Sequence, residues 1–96
     1  MRRSNTNAFS DLFREYIRSM GLEKQYFEAK IINAWPEIAG KAIASRTKRM
    51  YFKNSVLFVE LTSSVVRNEL MMIRHGLIDA LNKYIGQEIV TDIIFR

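Results

Sequence analysis

Thr47-Lys-Arg-Met-Tyr-Phe-Lys53, then Asn54-Ser55, then Val56-Leu-Phe-Val-Glu-Leu61 is the stretch on which the fold turns. In its first part Met50 and Phe52 alternate with Arg49, Tyr51 and Lys53; in its last part Leu57, Val59 and Leu61 share one face. Alternation with a period of two marks half-buried strands. Asn54-Ser55 supplies turn chemistry between them, so the stretch reads as a β-hairpin. The turn contains no Gly, which leaves its type open.

On both sides of the hairpin the period is 3.6. Downstream, Thr62, Ser63 and Ser64 offer N-cap oxygens. Val66, Leu70, Ile73, Leu77 and Leu81 then form a stripe that predicts one long helix ended by Gly86. Gly76 lies inside it, where Gly costs roughly 1 kcal/mol against Ala, and so suggests close packing. Residues 89–95 are β-branched and aromatic and read as a last strand. Upstream, Phe9, Leu12, Phe13, Tyr16, Ile17 and Met20 fall on one face of a first helix, with Asn7 as N-cap and Gly21 as the stop. Phe27, Ile31, Ala34 and Trp35 make the stripe of a second. Pro36 disfavours helical geometry at Trp35, which predicts a break there and a short third helix burying Ile38, Ala42 and Ile43.

The order is therefore α-α-(short α)-β-β-α-β, an α+β domain with a three-stranded sheet and helices on one face. A right-handed β-α-β connection makes the last strand parallel to the second. Residues 1–7 read as an N-terminal tail and 8–96 as the single domain.

Ninety-six residues, 48% of them hydrophobic, make one small packed domain with little room for a deep catalytic cavity. The absence of Cys excludes a disulfide scaffold, a Cys-based zinc site and a cysteine nucleophile, and one His excludes a His-rich metal site within one chain. No metal or other cofactor is expected. No apolar run exceeds four residues, far below the ~20 that span a bilayer. The expectation is a soluble cytoplasmic protein without a membrane role, nucleoid association being left open.

The net charge of +5 is uneven. Residues 1–53 hold 11 basic and 5 acidic side chains, a balance of +6; residues 54–96 hold 4 and 5, a balance of −1. No acid lies between Glu37 and Glu60, where Lys41, Arg46, Lys48, Arg49 and Lys53 stand. Such a field attracts polyanions, although basic surfaces are also common without a specific ligand. Tyr51 sits among these cations on the polar side of its strand, and Phe58 lies on the face opposite Leu57 and Val59; both are stacking candidates. Aromatic rings interleaved with cations on an open sheet suit single-stranded nucleic acid, the ring stacking on a base and the charge meeting phosphate. Cover of that face by a second layer or a second copy is the plainer alternative. Phe58, Met71 and Met72 are candidate protein-contact residues.

Catalytic signals are weak. His75 has no evident Ser or carboxylate constellation, and neither Glu28 with Glu37 nor Glu60 with Glu69 has a spacing that fixes an acid–base pair. The four glycines are too dispersed for a phosphate loop, and no GxxG clamp occurs. Trp35, at a stripe position, reads as a core anchor before a base-stacking residue.

Several segments together resemble a known family. Ala34-Trp35-Pro36-Glu37-Ile38-Ala39-Gly40 is similar to the W-x-x-[IV]-[AV]-G segment of the DciA family, bacterial proteins regarded as loaders or operators of the replicative helicase. Thr47 lies where that family opens its hairpin with Thr. Val56-Leu57-Phe58-Val59 resembles its L-x-V strand, and Ser63-Ser64-Val65-Val66-Arg67-Asn68-Glu69-Leu70 its S-S-x-x-x-x-E-L helix start. Leu81-Asn82, Gly86 and Ile93-Ile94-Phe95-Arg96 are similar to its L-N, G and closing I-x-F-R. The resemblance covers roughly residues 8–96. It implies a KH-like domain without GxxG that binds DNA and the replicative helicase and hydrolyses no nucleotide. This sequence departs from the family at Val65, where Trp is frequent, and at Asn54-Ser55, where D-G is frequent. The long basic extension of many members is also not seen, which shifts the expectation toward weak DNA binding or action mainly through a protein partner.

The reading is thus a non-enzymatic adaptor for single-stranded or branched DNA and the replicative helicase. Lys41, Arg46, Lys48, Arg49 and Lys53 would contact phosphates and Tyr51 a base. The alternatives are a protein–protein module, a homodimer among its forms, and a single-stranded RNA-binding KH-like domain.

Overall fold

The hairpin forms where the period changes. In a computed structural model, which describes residues 2–96 and the side chains from residue 8 onward, β1 (Thr47–Lys53) pairs antiparallel with β2 (Val56–Leu61). Lys53 stands opposite Val56, so the loop is two residues long. Asn54 and Ser55 both have positive φ, 53° and 66°, the requirement of a type I′ turn, whose twist matches that of the strands. The register shifts between Thr47 and Arg49, leaving Lys48 as the extra residue of a bulge. β3 (Asp92–Phe95) pairs parallel with β2, giving the order β1-β2-β3.

Among the described residues five helices accompany this sheet: α1 (Arg2–Ser19), α2 (Glu23–Ala39), α3 (Lys41–Ser45), α4 (Ser64–Met72) and α5 (Arg74–Ile85). Ile31 and Trp35 of α2, Leu70 of α4 and Leu77 and Leu81 of α5 pack on Leu57, Val59, Leu61, Ile93 and Phe95. These strand residues are the alternate ones, so a single face of the sheet carries the core. The expected α+β class, the sheet with helices on one face and the parallel last strand are all present.

Local differences from the expected elements have physical causes. Pro36 does not end α2. It lies inside the helix, and the break comes four residues later at Gly40, with φ 97° and ψ 156°, a region essentially reserved for Gly. A Pro within a helix withholds one N–H, and burial of Trp35 and Ala34 just before it compensates. Of the residues expected to be buried by the third helix, Ile38 and Ile43 are half-buried against the core, but Ala42 is exposed.

The single long helix expected after the hairpin is two. Ser63 does cap the first, its hydroxyl accepting from the Val66 N–H at 3.2 Å. The chain then bends at Ile73, whose N–H donates to the Leu70 carbonyl three residues back at 3.1 Å. α4 rests on β2 and β3, whereas α5 rests on α2 and β3. One straight axis does not serve both sets of neighbours, and Ile73 turns out to solvent at the joint. A Cβ on Gly76 would meet nothing within 4 Å, so close packing does not account for that glycine.

The last strand is shorter than residues 89–95 because Ile89 and Val90 bond to a side chain instead. Buried Asn82 accepts from both of their N–H groups, at 2.9 and 2.8 Å, and donates from Nδ2 to the Val90 carbonyl at 2.9 Å. Gly86, at φ 83°, lets the chain leave α5 toward this clamp.

α1 begins at Arg2, ahead of the expected cap at Asn7, whose side chain lies outside the described residues. It ends as expected at Gly21, with Gly21 and Leu22 N–H groups returning to the Arg18 and Ile17 carbonyls at 3.0 Å each. Its apolar face is largely uncovered. Phe13 meets Tyr26 of α2 edge-on, yet Phe9 is 72% and Leu12 69% exposed.

Candidate nucleic-acid interface

The core occupies one side of the sheet, and the alternate residues Arg49, Tyr51 and Lys53 of β1 therefore emerge on the other, with Val56, Phe58 and Glu60 of β2 and Asp92 and Ile94 of β3, Asp92 lying 3.6 Å from Arg74 of α5. The register places Tyr51 directly opposite Phe58, and Phe58 opposite Ile94. The two rings stack with centroids 4.9 Å apart and planes within 5°. The Arg49 guanidinium lies over the Tyr51 ring at 4.6 Å, and that of Arg96 over the Phe58 ring at 5.0 Å. Arg49 also approaches Glu60, its cross-strand partner, with Nη2 3.4 Å from Oε2.

Tyr51 is thus one member of an assembly of two rings and two guanidiniums. It already has two partners within the chain. Sequence reasoning did not find Arg96 or Glu60 as members. Glu60 was within reach once a two-residue turn at Asn54-Ser55 is accepted, because that turn alone sets Arg49 opposite Glu60. Arg96 required the parallel register of β3.

The remaining cations are spread along the approach to β1. Lys53 is exposed at the hairpin end of the face, and Lys48 is exposed at the bulge. Lys48 and Arg49 also border a shallow groove lined by Trp35, Pro36, Ala44 and Met50. Arg46 closes α3, its Nη1 donating to the Ala42 carbonyl at 3.3 Å, and Lys41 is the exposed first residue of that helix. Arg49, Tyr51 and Lys53 share the sheet face; Lys41 and Arg46 stand on the segment that leads to it.

The protein-contact candidates do not form one patch. Phe58 is half-buried on the helix-free face, whereas Met71 and Met72, the latter 86% exposed, belong to α4 on the opposite side. Trp35 is a core residue, 2% exposed, and its Nε1 donates to Thr47 Oγ1 at 3.0 Å. The Thr47 hydroxyl in turn donates to the Ile43 carbonyl at 2.9 Å, tying α2, α3 and β1 together at the start of the hairpin.

His75 is exposed on α5. Among the described residues no group of three or more His, Cys, Asp or Glu side chains could hold a metal ion. No helix among them is long and apolar enough to cross a membrane.

No curated protein matches the chain. A family model described as "Dna[CI] antecedent, DciA" does, over residues 8–95. That span contains the hairpin, the Trp35–Thr47 bond, the Asn82 clamp and all of the helix-free face but Arg96, and on its strength the chain belongs to the DciA family.

Proposed function

We propose that this protein is a non-enzymatic adaptor that helps to load or operate the replicative DNA helicase, holding single-stranded or branched DNA through the helix-free face of its sheet. Membership of a family of helicase loaders supports the general role. The observation that carries the DNA reading is the open face itself. It presents the exposed Arg49 and Lys53 beside the half-buried rings of Tyr51 and Phe58, with Lys48 and Arg46 continuing the positive charge toward α3. Phosphates would meet Lys41, Arg46, Lys48, Arg49 and Lys53, and a base would meet Tyr51.

Binding of this kind weakens with salt. Titration of a labelled single-stranded oligonucleotide at several salt concentrations tests it. Replacing Arg46, Lys48, Arg49 and Lys53 together by Ala should lower affinity and flatten the log–log salt slope by about 0.7 for each phosphate no longer neutralised. Unchanged affinity would sink the site assignment. Co-purification with the replicative helicase, with and without nuclease, tests the partner: retention after nuclease treatment supports a direct protein–protein association.

A second reading, a protein–protein module, is favoured by a separate observation. Met71, Met72 and the apolar side of α1 are exposed away from the basic face. The two readings are compatible if the helicase meets the helical side while DNA meets the sheet.

A further inference from the structure

The two arginines on the sheet face are held in different ways, and the difference bears on how the face takes an anion. A ring under a guanidinium fixes its position through the π-face without cancelling its charge. A carboxylate beside it does both. Arg96 lies over Phe58 and, among the described residues, has no acidic partner within salt-bridge distance. Arg49 lies over Tyr51 but also pairs with Glu60. The face therefore presents one positioned cation with no acidic side chain beside it and one that is already paired.

We propose that Arg96 is the primary phosphate-binding residue of this face and that Glu60 is a built-in competitor, occupying Arg49 until a phosphate of the DNA strand displaces it. This rests on the DNA reading given above and adds its order of engagement. The Tyr51–Phe58 pair serves as the platform that holds both guanidiniums ready, which lowers the entropic cost of their meeting phosphate. Arg96 suits this task because its backbone is fixed. Its N–H donates to the Val59 carbonyl at 2.9 Å and its carbonyl accepts from the Leu61 N–H at 2.8 Å, so the side chain projects from a bonded edge of the sheet. Glu60 suits the opposing task because it is less exposed than Arg49, 26% against 64% for the side chains, and so is the more fixed partner of the pair.

The test is fluorescence anisotropy of a labelled oligothymidylate with the full chain and five variants. Arg96→Gln keeps the backbone bonds and removes the charge. It should weaken binding about fivefold near 0.1 M salt and lower the salt slope by about 0.7. Glu60→Gln should tighten binding about two- to fivefold, the effect of one additional neutralised phosphate. Arg49→Gln should cost little with Glu60 present, and in Glu60→Gln/Arg49→Gln the gain should vanish. Asp79→Asn, which changes net charge by the same amount on α5, should leave affinity nearly unchanged. Far-UV circular dichroism and melting curves confirm that each variant is folded. An equal gain from Asp79→Asn and Glu60→Gln, or a gain that survives loss of Arg49, overturns the competitor role. Unaltered binding by Arg96→Gln, with wild type binding normally, overturns the primary role. Failure of the wild type to bind the oligothymidylate at low salt overturns the DNA reading itself.

Discussion

The two faces of the sheet are made by alternate residues of the same three strands, and they are built to different ends. On the inner face Leu57, Val59 and Ile93 have no solvent exposure and meet Trp35, Leu77 and Leu81. On the outer face Arg49, Tyr51, Phe58 and Arg96 meet one another and solvent. The inner residues are apolar and interchangeable in kind. The outer ones combine aromatic rings with cations, which burial does not require. Stability thus rests mainly on the inner face, and the outer face stays open to solvent.

This contrast can be broken from either side. The largest loss of stability is expected for Trp35→Ala, about 3–5 kcal/mol, because a filled core position empties. The Thr47 hydroxyl loses its donor as well. Chemical denaturation measures this. Asn82→Ala should follow at about 3 kcal/mol, since it leaves the buried Val90 N–H and carbonyl unpaired at about 1–3 kcal/mol each, whereas the part-buried Ile89 N–H keeps the Gln87 carbonyl. Hydrogen exchange should then become rapid at Ile89 and Val90 while the hairpin stays protected. The smallest effect is expected on the outer face. Phe58→Ala or Tyr51→Ala removes one stacked partner, worth about 0.5–1.5 kcal/mol beyond the modest area that the half-buried ring covers. If either costs as much as Trp35→Ala, the outer face is structural and the division between faces is mistaken.

The inner face was largely legible in the sequence. The stripe Phe27, Ile31, Ala34 and Trp35, the alternation in the hairpin and the β-branched end each express one local period, and local periods survive folding. What was not legible depended on relations between elements. Pro36 is tolerated because Ala34 and Trp35 are buried immediately before it. The bend at Ile73 follows from the different neighbours of α4 and α5. The Asn82 clamp replaces strand pairing at residues 89–90. α1 has a clear helical stripe but few neighbours to receive it, which a periodic pattern alone does not reveal. The outer face was half legible. Arg49, Tyr51 and Lys53 follow from alternation, whereas their companions Glu60 and Arg96 follow from register.

The central claim is that the helix-free face receives nucleic acid. Titration of the isotopically labelled protein with an oligothymidylate, followed by amide and Arg side-chain NMR shifts, tests it most directly. The account predicts that shifts concentrate at Arg49, Tyr51, Lys53, Phe58 and Arg96, with the core residues Leu77 and Leu81 of α5 silent. Shifts confined to α1 or α4, with the sheet face unperturbed, would contradict it.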